Sequence, residues 1–244
     1  MSLHTVFWFA LLTALATGLG ALPFLFFRQM SRTWLGLANA IAAGLMGAAS
    51  AGLIYEGFDY AIGRTLIGVM LGLAFIALSQ RAIEARPGLV MGNLKGADAR
   101  KALLVVSIMT LHSFTEGIGV GVAFGGGEAL GIFITTAIAV HNIPEGLAIS
   151  LVMVPRGAPV WKAAAWSIFS SLPQPILAVP AFMFVHAFVP FLPVGLGFAA
   201  GAMIWMVFAE LVPEALEDAS RDAVAFTITV SLVAMLAFQM FLRV

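Results

Sequence analysis

Long apolar runs alternate with short polar interruptions along this chain, at intervals suited to helices that cross a bilayer. A spanning helix needs about 20 apolar residues. Eight runs reach that length, at about 4–27, 34–55, 61–83, 101–124, 129–154, 161–188, 190–212 and 223–242. Runs six and seven nearly merge, and "FVPFLP" (188–193) is the break between them, because proline cannot continue a helical hydrogen-bond ladder. The pattern predicts an all-α membrane protein with eight transmembrane helices. An even count puts both termini on one side. The first run lacks a basic leader and exceeds a secretory apolar core in length, so it reads as a retained span.

Composition strengthens this picture. Of the 244 residues, 61% are hydrophobic and 10% charged, against about 25% charged in soluble domains. Mean hydropathy is +1.05. The whole chain, 1–244, reads as one polytopic transmembrane domain. A net charge of zero gives nucleic acid nothing to bind. The absence of cysteine excludes disulfides, thiolate metal ligands and thiol nucleophiles. Basic residues are placed unevenly. Arg28, Arg32, Arg81, Arg86, Lys95, Arg100, Lys101, Arg156, Lys162 and Arg221 fall on one face, which leaves only Arg64 and Arg243 opposite. By the excess of basic residues in cytoplasmic loops, 84–100 is a cytoplasmic loop and both termini lie outside.

Two spans carry ionisable groups deep in apolar sequence. Span four reads "LHSFTEGIGVGVAF", with His112 and Glu116, and span five reads "VHNIPEGLAISLVM", with His141 and Glu145. In each, histidine and glutamate are four residues apart and share a helix face. Both follow the frame H-x-x-x-E-G. If the spans fold back on each other, residues equidistant from the turn share a depth. The midpoint of 116 and 141 is 128.5, and so is that of 112 and 145. It falls beside "GGGE" (125–128), the natural turn. His112 should therefore face Glu145, and Glu116 should face His141. Their depth is roughly 19–25 Å from the turn at 1.5 Å per residue, near the middle of a ~30 Å hydrocarbon core.

Four ligand-type side chains at one depth need an explanation. Buried carboxylates are costly unless paired, and two together repel. A divalent cation answers both problems: two carboxylates balance its charge, and two neutral imidazoles complete an N/O donor set suited to zinc, iron and other first-row metals. Pro144 withholds one helical N–H, which frees the carbonyl of Val140 beside these groups. A kinked helix beside ligands near the midplane suits a transport site, and two alternatives stand beside that reading. An intramembrane metalloenzyme could use the same cluster, although neither an H-E-x-x-H helix nor the Glu-x-x-His pairs of di-iron proteins are present. A passive metal-ion channel is the other.

"HSFTEGIGVGVAF" and "HNIPEGLAISL" resemble the ZIP (Zrt/Irt-like) family of divalent-metal transporters, closest to its prokaryotic and organellar branch. The resemblance implies uptake of zinc, with iron, manganese or cadmium as further substrates, toward the cytoplasm. It implies an elevator-like alternating-access movement and no cofactor beyond the transported metal. It also implies a bacterial inner or organellar membrane and, as a partner, a second copy in a homodimer. The metal centre is expected between spans four, five and six, with His112, Glu116, His141 and Glu145 as first-site ligands. Met46, in "AAGLMGAAS", matches a soft ligand of span two. A second metal would draw on the positions after each histidine, Ser113 and Asn142, and on a span-six glutamate.

Here the chain departs from the family pattern. Ser113 stands where Asn or Asp is usual, Thr115 replaces a proline, and the span-six position is Gln174 in "SSLPQPILA". One metal site is expected, with the second weak or absent. The loop before span four lacks the family's frequent histidine cluster. Glu210 and Glu214, four apart near the end of span seven, resemble an exit segment. Empty glutamates repel and tend to take up protons, which predicts proton-linked release.

Overall fold

The computed structural model describes residues 2–27, 31–84, 97–187 and 189–242. Within them the chain is helical and contains no strand. Helix α1 spans Leu3–Leu19, and a 3-10 turn follows at Leu22–Leu25. Next come α2 (Arg32–Glu84), α3 (Ala97–Gly126) and α4 (Glu128–Met153). Then follow α5 (Val160–Ser171), α6 (Pro173–Ala187) and α7 (Leu192–Met206). A π-helical segment, Val207–Leu211, leads into α8 (Val212–Asp218), and α9 covers Arg221–Leu242. Six stretches of the described residues are long and apolar enough to cross a membrane. Residues 85–96, most of the expected cytoplasmic loop, lie outside the described residues, as does Arg28.

Helix α2 joins the runs expected as spans two and three. As one straight rod, its 53 residues would measure ~80 Å at 1.5 Å each. It breaks instead at Ala61, whose backbone is extended (φ −167°, ψ 105°). Cross-helix hydrogen bonds show what the break does. Asn39 reaches Glu214, Gln80 reaches Glu210, and Arg64 reaches the carbonyl of Pro190. The two ends of α2 therefore meet the same end of the α7–α8 rod, while its middle meets the other. The chain folds back at Ala61.

Span six also divides. Helix α5 stops at Ser171 and α6 restarts at Pro173, where proline at the first helical position costs no hydrogen bond. The expected break near 188–193 is present as a 3-10 turn, Val189–Phe191. Pro144 lies inside α4, which continues as helix to Met153. The loss of one N–H loosens the helix without ending it.

Outward faces are apolar. Trp8, Leu12, Trp34, Met70, Phe208 and Phe226 are all more than half exposed, a surface that suits lipid and would aggregate in water. Polar groups are turned inward: Thr13, Thr17, Ser113, Asn142, Ser171 and Gln174 are buried. Helices α1, α3, α4, α5 and α6 gather around these residues. Helix α2 packs chiefly on α7 and α9 beside them.

Candidate metal centre

The hairpin of α3 and α4 builds the centre. Gly127 joins the two helices with φ 141°, a backbone angle open to glycine and costly for other residues. The turn sits within two residues of the midpoint that the sequence arithmetic gives. Its consequence is the expected pairing. His141 Nε2 lies 2.5 Å from Glu116 Oε1, and His112 Nε2 lies 3.1 Å from Glu145 Oε1. Within each helix, His112 Nε2 stands 3.2 Å from Glu116 Oε1, and His141 Nε2 stands 3.9 Å from Glu145 Oε1.

One donor atom from each of the four lies within 4.8 Å of all the others, and the four residues are 0–1% exposed. Ligands ~2.1 Å from a tetrahedral zinc ion stand ~3.4 Å apart. The observed spacings bracket that value, so the cage has the size of a first-row cation. His112 Nε2 and Glu145 Oε1 approach each other without hydrogen-bond alignment, and neither atom makes a hydrogen bond among the described residues. Orphaned buried polar atoms cost ~1–3 kcal/mol each. A cation between them would remove that cost.

The glycine that closes each H-x-x-x-E-G frame brings in a third and a fourth helix. A methyl group on Gly146 would collide with the carbonyl of Thr17, and one on Gly117 would collide with the backbone of Gln174. With hydrogen there instead, α1 seats against α4 and α6 seats against α3. Two of the remaining expected residues thereby reach the cage. Gln174 Nε2 donates to Glu116 Oε2 at 2.6 Å. Asn142 Nδ2 donates to the Thr13 carbonyl at 2.9 Å and to Gln174 Oε1 at 3.2 Å.

The other expected residues have partners or surroundings of their own. Ser113 faces Ser171 at 3.5 Å, and Ser171 in turn meets Thr17 at 2.8 Å. Met46 is fully buried in the main apolar core. Glu214 accepts from Asn39 at 3.2 Å. Glu210 lies in the π-helical segment and accepts from Gln80, whose own carbonyl accepts from the indole N–H of Trp205 at 2.9 Å.

Sequence reasoning missed Thr13. Its hydroxyl lies 2.5 Å from Gln174 Oε1 and 2.7 Å from the carbonyl of Ala10. The available signal was a pair of threonines, Thr13 and Thr17, four apart on one face of an otherwise apolar helix.

Residues 90–242 match the family description "ZIP Zinc transporter". The chain is 33% identical over 247 residues to the zinc transporter ZIPB of Bordetella bronchiseptica, covering 93% of this chain and 76% of that one. It is 32% identical over 223 residues to the zinc transporter GufA of Myxococcus xanthus, covering 84% and 86%. It is 50% identical over 238 residues to an Arabidopsis thaliana protein with a provisional zinc-transporter name, covering 96% of this chain and only 38% of that longer protein. With two histidine–glutamate pairs buried at the helical hairpin inside the matched region, this integral membrane protein belongs to the ZIP zinc transporter family.

Proposed function

We propose that the chain carries divalent transition-metal ions, zinc foremost, across a bilayer into the cytoplasm, with His112, Glu116, His141 and Glu145 as the ligands. The convergence of four buried donor atoms within 4.8 Å carries this reading. Two carboxylates and two imidazoles balance and coordinate a dication at a depth where water cannot. Iron, manganese and cadmium fit the same donor set. Met46 serves as a soft ligand near the path, and Glu210 and Glu214 line the exit.

Eight crossings follow from splitting α2 at Ala61 and counting α3 beside the six apolar stretches. The excess of basic residues on one face supports outside termini and inward transport. The bacterial inner membrane, or an organellar one, suits the relatives, and a homodimer is the assembly proposed. The cage is 0–1% exposed. A site closed to both sides supports alternating access over an open channel, with a rigid-body shift of the helices around the cage against α2, α7 and α9. The relatives carry transporter names, and neither an H-E-x-x-H helix nor Glu-x-x-His pairs accompany the cage, so the reading is transport and not catalysis.

Uptake of labelled zinc into proteoliposomes tests the proposal. His141→Ala and Glu145→Ala should abolish it, and wild-type rates in both variants would sink the site assignment.

A further inference from the structure

We infer that Gln174 stands in for a second metal ion, so that this transporter carries one ion at a time through a mononuclear centre. The inference rests on the metal-site reading above and concerns how Glu116 is held. The two oxygens of Glu116 have different partners. Oε1 faces both histidines, at 3.2 Å and 2.5 Å, and Oε2 accepts from the Gln174 amide at 2.6 Å. The oxygen that could bridge to a second cation is therefore occupied by a neutral N–H donor.

The amide cannot turn around. Reversed, it would set its carbonyl against a carboxylate oxygen. Its carbonyl is also claimed from the other side, by the N–H of Asn142 at 3.2 Å and by the Thr13 hydroxyl at 2.5 Å, which it shares with Ala10. Asn142 is held in turn by the Thr13 carbonyl at 2.9 Å. Three helices thus fix one amide, and that amide fixes Glu116. Gln174 is a positioning residue, and Thr13 and Asn142 orient it.

Charge gives the same count. Glu116 and Glu145 neutralise one dication. A second would leave two positive charges uncompensated in a closed site, where buried charge is costly. Glutamate at 174 would set a third carboxylate against Glu116 Oε2 and require another cation between them.

Zinc stoichiometry and affinity, measured by equilibrium dialysis on the purified full chain in nanodiscs, test this. Wild type should bind one zinc per chain, and His141→Ala none. Gln174→Ala should still bind one, with affinity ~10–100-fold weaker, the usual loss when a ligand's supporting partner is removed. Gln174→Glu, nearly the same shape, should bind two. Thermal melting identifies variants that fail to fold, and the Gln174→Glu count keeps the test open if Gln174→Ala is one of them. A role in folding alone would leave stoichiometry at one in folded Gln174→Glu and would overturn the inference. Two ions on wild type, or unchanged affinity in folded Gln174→Ala, would also overturn it. Binding in the expected pattern without zinc uptake would instead sink the transport reading and leave this inference standing.

Discussion

His141 Nε2 and Glu116 Oε1 meet at 2.5 Å across the α3–α4 hairpin, 25 residues apart in sequence. The same Glu116 oxygen lies 3.2 Å from His112. One carboxylate oxygen thus faces both imidazoles, which makes Glu116 the hub of the cage. Glu116→Ala should weaken zinc binding by more than the ~10–100-fold lost with a supporting partner. Competition with a fluorescent zinc chelator would measure it, and a smaller loss than for Gln174→Ala would deny Glu116 this place.

Glu145 should separate folding from binding. Its Oε1 lies 3.1 Å from His112 Nε2 without making a hydrogen bond among the described residues, and a buried carboxylate oxygen that lacks hydrogen bonds costs stability. Glu145→Gln keeps the shape and removes the charge. Without metal it should melt at or above the wild-type temperature. Zinc at 100 times the dissociation constant stabilises a one-site protein by ~2.7 kcal/mol, and the variant should lose most of that gain. Differential scanning fluorimetry with and without zinc reads both effects.

The histidine–glutamate cage was open to sequence reasoning because two geometric rules suffice for it. Residues four apart share a helix face, and residues equidistant from a turn share a depth. Gln174 follows from the second rule applied once more, because the midpoint of 145 and 174 is 159.5, inside the loop "PRGAPVWK" between spans five and six. Thr13 does not. A threonine in an apolar helix ordinarily satisfies its hydroxyl on its own backbone, as Thr13 does with Ala10, so no unpaired group marks it. Its contact with Gln174 depends on how closely α1 packs, which Gly146 sets and spacing along the chain does not. The partners of Glu210 were hidden for a similar reason. Gln80 lies 130 residues away, and the π-helical segment changes the register of α7 where the two meet.

Gly146→Val tests that packing directly. The added side chain would meet the backbone of Thr17, and overpacking a tight contact costs ~1–3 kcal/mol. The variant should melt lower and bind zinc more weakly, because Thr13 moves away from Gln174. Gly47→Val has more room, since its nearest neighbour is a Leu232 methyl at 3.9 Å, and it should bind zinc as wild type does. Equal zinc affinity in the two variants would contradict the role given to α1.

Met46 should act on selectivity. Thioether sulfur favours soft metals, so Met46→Ala should slow cadmium uptake more than manganese uptake in proteoliposomes. An equal loss for both metals would remove Met46 from the metal's path.

Glu210 should act after binding. Glu210→Gln should leave zinc affinity at the cage unchanged and lower the maximal uptake rate severalfold, as expected where release limits turnover. A weakened affinity with an unchanged maximal rate would argue against an exit role.

The central claim is that four named side chains hold the transported ion, and anomalous diffraction at the zinc edge from zinc-loaded crystals tests it most directly. A peak ~2.0–2.2 Å from His112 Nε2, His141 Nε2 and an oxygen each of Glu116 and Glu145 is the predicted result. Zinc bound elsewhere in the protein, with this cage empty, would contradict it.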